Sequence, residues 1–198
     1  MAGNFIHSIK SFIKGGEYKE KLSDLDLIIA AYIIANNFVE YGELDFAVGA
    51  SEFINPLRVS VYRYRDIGDI LNEVFNKLEK KGIAKCMDVK TLKNYLTEEE
   101  KQKIYSSICE REFYKTVALD YNKFCRDVEK FFEHFHNSII CYPTMDKKTF
   151  EKKYLSKYGI SVDDISKNFK YFLKKGEIKS AAEEIKIAKE LKELINKT

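Results

Sequence analysis

From Leu27 to Ala35 the chain runs nine residues without a charge, and Leu25 extends the apolar character by a turn. Nine residues are far fewer than the roughly 20 that span a bilayer. Read as a helix, this stretch is apolar on every side, so it has no face to offer water and belongs at the centre of a core. Ser23 precedes it as an N-cap residue, and Asp24 and Asp26 stand in the first turn, where the helix dipole favours carboxylates. The pattern predicts a buried helix over about 24–39. The surrounding composition agrees. With 2 Pro and 9 Gly in 198 residues, a turn-rich β-sandwich is a poor fit and long helices are a good one. Hydrophobic residues make up 45% and charged residues 33%, which excludes wholesale disorder. The fold class expected is mainly α.

Other elements follow from periodicity. Phe5, Ile6, Ile9, Phe12 and Ile13 predict a short docking helix that Gly15-Gly16 ends. Glu43 to Ile54 is a second helix candidate, broken by Asn55-Pro56. Leu57 to Tyr64 reads as a short strand or a loop. Ile67, Ile70, Leu71, Val74, Phe75 and Leu78 form one helical face over 66–81, with Gly82 as its stop. Ile83 to Leu92 is expected to be extended or a small hairpin. Thr97 with Glu98, Glu99 and Glu100 begins another helix through a capping box. Val117, Tyr121, Phe124, Val128, Phe131 and Phe135 step as a heptad seam, predicting one long helix that Tyr142-Pro143 closes. That seam could pair with a twin subunit or pack within the chain. Shorter helices split near Gly159 and Gly176 complete a C-terminal helical bundle. The division expected is residues 1–94 and residues 95–198.

Charge and cysteine narrow the function classes. The net charge of +3 does not by itself mark a nucleic-acid protein. Arginine is scarce among the 34 basic residues, yet Arg58, Arg63 and Arg65 fall close together with Tyr62 and Tyr64 between them. The planar guanidinium suits phosphates and guanine edges. The 4 Cys form no CxxC pair, and no secretory signal is visible, so no disulfide framework is expected. His134, His136 and Cys141 match no usual zinc spacing, and neither metal nor cofactor is expected. There is no P-loop, GxGxxG, GxSxG or HExxH. Cytoplasmic placement without membrane insertion follows from these features.

The stretch Asn55-Pro56-Leu57-Arg58-Val59-Ser60-Val61-Tyr62-Arg63-Tyr64-Arg65, followed by Asp66-Ile67-Gly68-Asp69-Ile70-Leu71 and ending Leu78-Glu79-Lys80-Lys81-Gly82-Ile83, resembles the last helix of winged-helix domains. Those of archaeal replication initiators are included in the likeness, which spans residues 24–92. It implies an N-terminal winged-helix-like unit that binds double-stranded DNA without catalysing a reaction. In such a unit the basic turn opens a recognition helix whose N-terminal end enters the major groove. Arg58, Tyr62, Arg63, Tyr64 and Arg65 would then meet bases or phosphates, with Lys85 and Lys90 on the wing near the backbone.

Two other readings stand beside it. An α-helical interaction subunit would use the same scaffold to hold a protein partner, or a second copy through the 117–135 seam. Gly15-Gly16 followed by Ser23-Asp24-Leu25-Asp26 also looks like the polymerase-β-type nucleotidyltransferase signature. There Asp24 and Asp26 on one strand, with Asp45, would hold Mg²⁺.

Overall fold

The computed structural model describes residues 22–44 and 67–167. Helix α1 spans Asp24–Asn36. Ser23 caps it as the sequence predicts: the Asp26 amide donates to Ser23 Oγ at 3.3 Å and the Ser23 amide donates to Asp26 Oδ2 at 2.6 Å. Leu25 and the run from Leu27 to Ile34 are all buried, so α1 is the central helix its composition requires. It stops at Asn36, three residues before the expected end, where Asn37 takes φ 64° and turns the chain into strand β1, Val39–Glu40. Residues 41–44 are helical again.

Helix α2 covers Ile67–Lys80. It buries Leu71, Val74, Phe75 and Leu78 at the i, i+3, i+4, i+7 positions of one face. Gly82, at φ +64°, ends it with a Schellman closure. The Gly82 amide donates to the Glu79 carbonyl and the Ile83 amide to the Leu78 carbonyl, each at 2.9 Å. The chain then passes directly into strand β2, Ala84–Asp88. Of the extended segment or hairpin expected over 83–92, this strand is the extended part, and a short helix α3, Val89–Lys93, follows it.

The partner of β2 lies far along the chain. Strand β3, Ile139–Pro143, pairs antiparallel with both β1 and β2, giving the order β1-β3-β2. Tyr142-Pro143, expected to close a helix, closes this central strand. Alternation gives the sheet two different faces. Val39, Cys141 and Cys86 point to one side and pack with α1 and α2, in a cluster that includes Ile29, Ile33, Leu71 and Leu78. Ile140 and Met87 point to the other side and pack with residues 89–135. Cys86 faces Cys141 in the strand register and is bonded to it. Cys109 and Cys125 form a second disulfide. The expectation of free cysteines is therefore corrected. It rested on local spacing, whereas Cys86 and Cys141 are 55 residues apart and meet only once the sheet forms.

Residues 89–138, between β2 and β3, build a second core. Helix α4, Glu98–Cys109, starts with the predicted Thr97 capping box. The single long helix expected next is instead three short ones: α5 Glu112–Val117, α6 Tyr121–Phe124 and α7 Val128–His134. Geometry explains the correction. A continuous helix from 112 to 125 would be about 20 Å long, yet Cys125 lies 5.6 Å from Cys109, Cα to Cα. Asp127 also takes extended backbone and caps α7, accepting from the Lys130 amide at 2.8 Å. Phe124, Phe131 and Phe135 are buried against Ile104, Ile108 and Tyr114. These three rings of the seam are therefore packed from within the chain.

After β3, helix α8 (Lys147–Phe150) runs through a π-helical turn, Glu151–Leu155, and a 3-10 turn, Ser156–Tyr158. Gly159 at φ +64° ends it, at the expected split, and residues 162–167 are helical. Phe150, Leu155, Ile160, Val162 and Ile165 return to the first cluster. The apolar packing thus divides around 88–89 and 140–141. The structure is mostly helical with one small sheet. No helix among the described residues is long and apolar enough to cross a membrane. The docking stripe from Phe5 to Ile13, the 178–195 stripe and most of the second helix candidate lie outside the described residues.

The disulfides carry a direct prediction. Replacing Cys109 and Cys125 by Ser should lower unfolding free energy by about 3 kcal/mol, and replacing Cys86 and Cys141 by about 4 kcal/mol, from loop-closure entropy. Denaturant melts of the two double variants check this. Thiol titration of the denatured, unreduced protein should find no free thiol.

Candidate nucleic-acid interface

The outward stripe of α2 carries Asn72, Asn76, Glu79 and Lys80, all exposed. Lys77, on the flank, bridges to Glu73 at 3.5 Å and reaches toward Asp26 of α1 at 3.8 Å. Asp26 is buried, and its Oδ1 has no hydrogen-bond partner among the described residues, so this cation is its charge balance. The buried face of Leu71, Val74, Phe75 and Leu78 turns the Asn stripe outward. Arg58, Tyr62, Arg63, Tyr64 and Arg65 lie outside the described residues.

Lys85, the other predicted contact on this side, is exposed on β2 directly opposite Tyr142 of β3. One strand further, Phe38 precedes Val39, whose register partner is Cys141, and so stands opposite Tyr142. The Phe38 and Tyr142 rings are 5.8 Å apart, centroid to centroid, and tilted by 38°. Lys103 of α4 places its ammonium 6.0 Å from the Phe38 ring centre. A row of cation, ring, ring and cation therefore crosses the sheet on the side that faces residues 89–138, with Phe38 packed against the second core. Phe38 and Tyr142 are half-buried, while Lys85 and Lys103 are exposed. Sequence reasoning found Lys85 and missed the other three. The period-2 pattern in Ile139 to Pro143 was the only local signal for Tyr142, and nothing local joins it to Phe38 or Lys103. Lys90, the second predicted wing lysine, sits exposed on α3, apart from this row in the sheet register.

A buried polar cluster joins the two cores. Arg111 forms an ion pair with Glu43, and its Nη2 donates to the Asn36 carbonyl at 2.7 Å and to Ser107 Oγ at 3.3 Å. It thereby neutralises a wholly buried carboxylate and caps the C-terminus of α1, where a cation is favoured. The Tyr32 hydroxyl donates to Glu43 Oε1 at 3.3 Å. Glu40, also buried, accepts from the Tyr114 hydroxyl at 3.0 Å and the Gly42 amide at 2.7 Å. Burial pushes the Glu43 carboxyl above its ordinary value, with Arg111 opposing. Burial, then the Glu43 charge, pushes both tyrosine hydroxyls well up. The serine hydroxyl in the cluster, Ser107, donates to the Asn36 carbonyl at 3.0 Å. The chemistry of the cluster is that of a satisfied network linking two cores.

The two-metal reading does not survive the geometry of residues 24–36. Asp24 and Asp26 begin a helix, not a strand, and the Asp26 carboxylate is turned onto the Ser23 amide. Asp45 lies outside the described residues. Cys141 is committed to Cys86, and His134 stacks on Phe124 at 4.4 Å. Compared with known proteins, the chain matches no family model, no curated protein and no solved structure.

Arg111→Ala should destabilise by about 3–5 kcal/mol, because it strands Glu43 as a buried, unpaired charge. Glu43→Gln should cost less. The pH dependence has a defined sign. A carboxyl whose folded pKa is raised binds its proton more tightly in the native state, so its contribution declines as pH rises from the ordinary carboxylate value through the raised one. Melts across that window should show this decline in the parent chain and lose it in Glu43→Gln.

Proposed function

We propose that this chain is a DNA-binding protein built on a winged-helix unit, with residues 89–138 inserted where the wing connects its last two strands. The observation that carries the reading is the strand order. The chain runs α1, β1, a helical segment from 41, α2, β2 and β3, and β3 lies between β1 and β2. That path is the one a winged-helix unit requires: helices on one face of a three-strand antiparallel sheet, with the last helix feeding the hairpin. The closure of α2 at Gly82, directly before β2, supports it. So does the polar outward stripe, since Asn72 and Asn76 carry the amide groups that pair with adenine edges. The arginine-rich stretch from 58 to 65 immediately precedes α2 in sequence and would supply the phosphate-binding charge.

Two disulfides are unusual in a reducing cytoplasm but common in intracellular proteins of hyperthermophiles. A lysine- and isoleucine-rich composition fits that setting, and we place the protein in such a cytoplasm. A protein-binding role for the insertion is favoured by one observation: Leu119 is fully exposed and Tyr95 is 80% exposed, both within residues 89–138.

Fluorescence anisotropy of labelled duplex DNA at a series of salt concentrations tests the reading. Affinity should fall steeply with salt. Arg63→Ala with Arg65→Ala should flatten the log–log slope by about 1.8, for two lost phosphate contacts. Absence of binding at low salt, or an unchanged slope in the double variant, contradicts it.

A further inference from the structure

We infer that the row Lys85, Tyr142, Phe38 and Lys103 is a stacking platform for single-stranded DNA, separate from the duplex surface at α2. The inference extends the nucleic-acid reading but rests on none of the arginine residues. Its basis is placement. The two rings are brought side by side by the register of β3 with β1 and β2, and both keep part of their surface in solvent. Each end of the row carries an exposed ammonium.

Lys103 lies over the Phe38 ring, 6.0 Å from its centre. Lys85 forms no ion pair among the described residues. The carboxylate one turn before Lys103, Glu100, is engaged by the Thr97 amide at 2.8 Å and the Thr97 hydroxyl at 3.0 Å. Glu40, the carboxylate on the same side of the sheet, is buried and turned toward Tyr114 and Gly42. The charged side chains of the row itself, Lys85 and Lys103, are both exposed cations.

An aromatic pair flanked by two cations matches what a single strand presents: flat base faces and a phosphate on each side. Two strands of a duplex cannot use it, because their base faces are already stacked. Burial explains part of the arrangement, since Phe38 packs on the second core. It does not explain why the open side of the row is closed by ammonium groups rather than by the acidic residues equally common in this chain.

The test uses the full oxidised chain and a labelled oligodeoxythymidine of about 16 nucleotides, with the duplex as a second probe. The parent chain should bind the single strand. Tyr142→Leu, which keeps apolar packing but removes the ring, should weaken it by about tenfold and leave duplex affinity unchanged. Lys85→Glu, at an exposed position that leaves the cores intact, should weaken it comparably. Arg63→Ala with Arg65→Ala should do the reverse, losing duplex and keeping the single strand. No binding of the single strand at low salt overturns the inference, as does binding that neither Tyr142→Leu nor Lys85→Glu weakens. A preference for oligouridine over oligodeoxythymidine overturns the assignment to DNA. Loss of duplex binding alone would refute the winged-helix reading and leave this platform standing.

Discussion

Everything in this fold depends on β3 arriving between β1 and β2. Before it arrives, β1 is two residues long and β2 five, and neither has a partner. An isolated strand leaves its backbone donors and acceptors unmade, which costs free energy when they are buried. β3 satisfies both neighbours at once and carries alternate residues into two different cores. Cys141 goes to the helices and Ile140 to the insertion. The Cys86–Cys141 bond closes this arrangement at the point where the insertion leaves and re-enters the sheet, so the ends of residues 89–138 are held together covalently.

The insertion then needs only to fill the volume above one sheet face. It does so with aromatic rings from three short helices, and Cys109–Cys125 ties the end of α4 to the end of α6. Two tyrosines reinforce the tie: the Tyr105 hydroxyl donates to the Cys125 carbonyl at 2.8 Å, and the Tyr121 hydroxyl to the Cys109 carbonyl at 2.7 Å. Arg111 completes the junction with the first core by holding both Glu43 and the last carbonyl of α1. Among the described residues, the cores are joined by strand β3, the Arg111–Glu43 pair, the capped end of α1 and the Tyr114–Glu40 hydrogen bond. The outward stripe of α2 is exposed, and Phe38 and Tyr142 are half-buried.

What could be read from the sequence was local. Ser23 and Thr97 start helices because their caps lie within three residues, and Gly82 and Gly159 end them because only glycine takes positive φ without strain. The amphipathic face of α2 was legible for the same reason. What could not be read was non-local. The 4-3-4-3-4 spacing of Val117 to Phe135 is shared by one long helix and by three short ones that each contribute a ring to a common core. Only the cystine partner of Cys125 decides between them. Ile139 to Pro143 is too short to distinguish a strand from a helix end by periodicity. Of the candidate interface, Lys85 was visible, but Phe38, Tyr142 and Lys103 come together only through strand register. The Arg111–Glu43 pair spans 68 residues and carries no signal in either neighbourhood.

The central claim is that α2 and the sheet beside it, not the inserted helices, form the DNA-binding surface. Hydrogen–deuterium exchange of the full chain, with and without saturating duplex DNA, tests this most directly. The account predicts slowed exchange in residues 67–80 and 84–88, with little change across 98–134. Protection confined to 98–134, with α2 unaffected, would contradict it and assign the binding surface to the insertion.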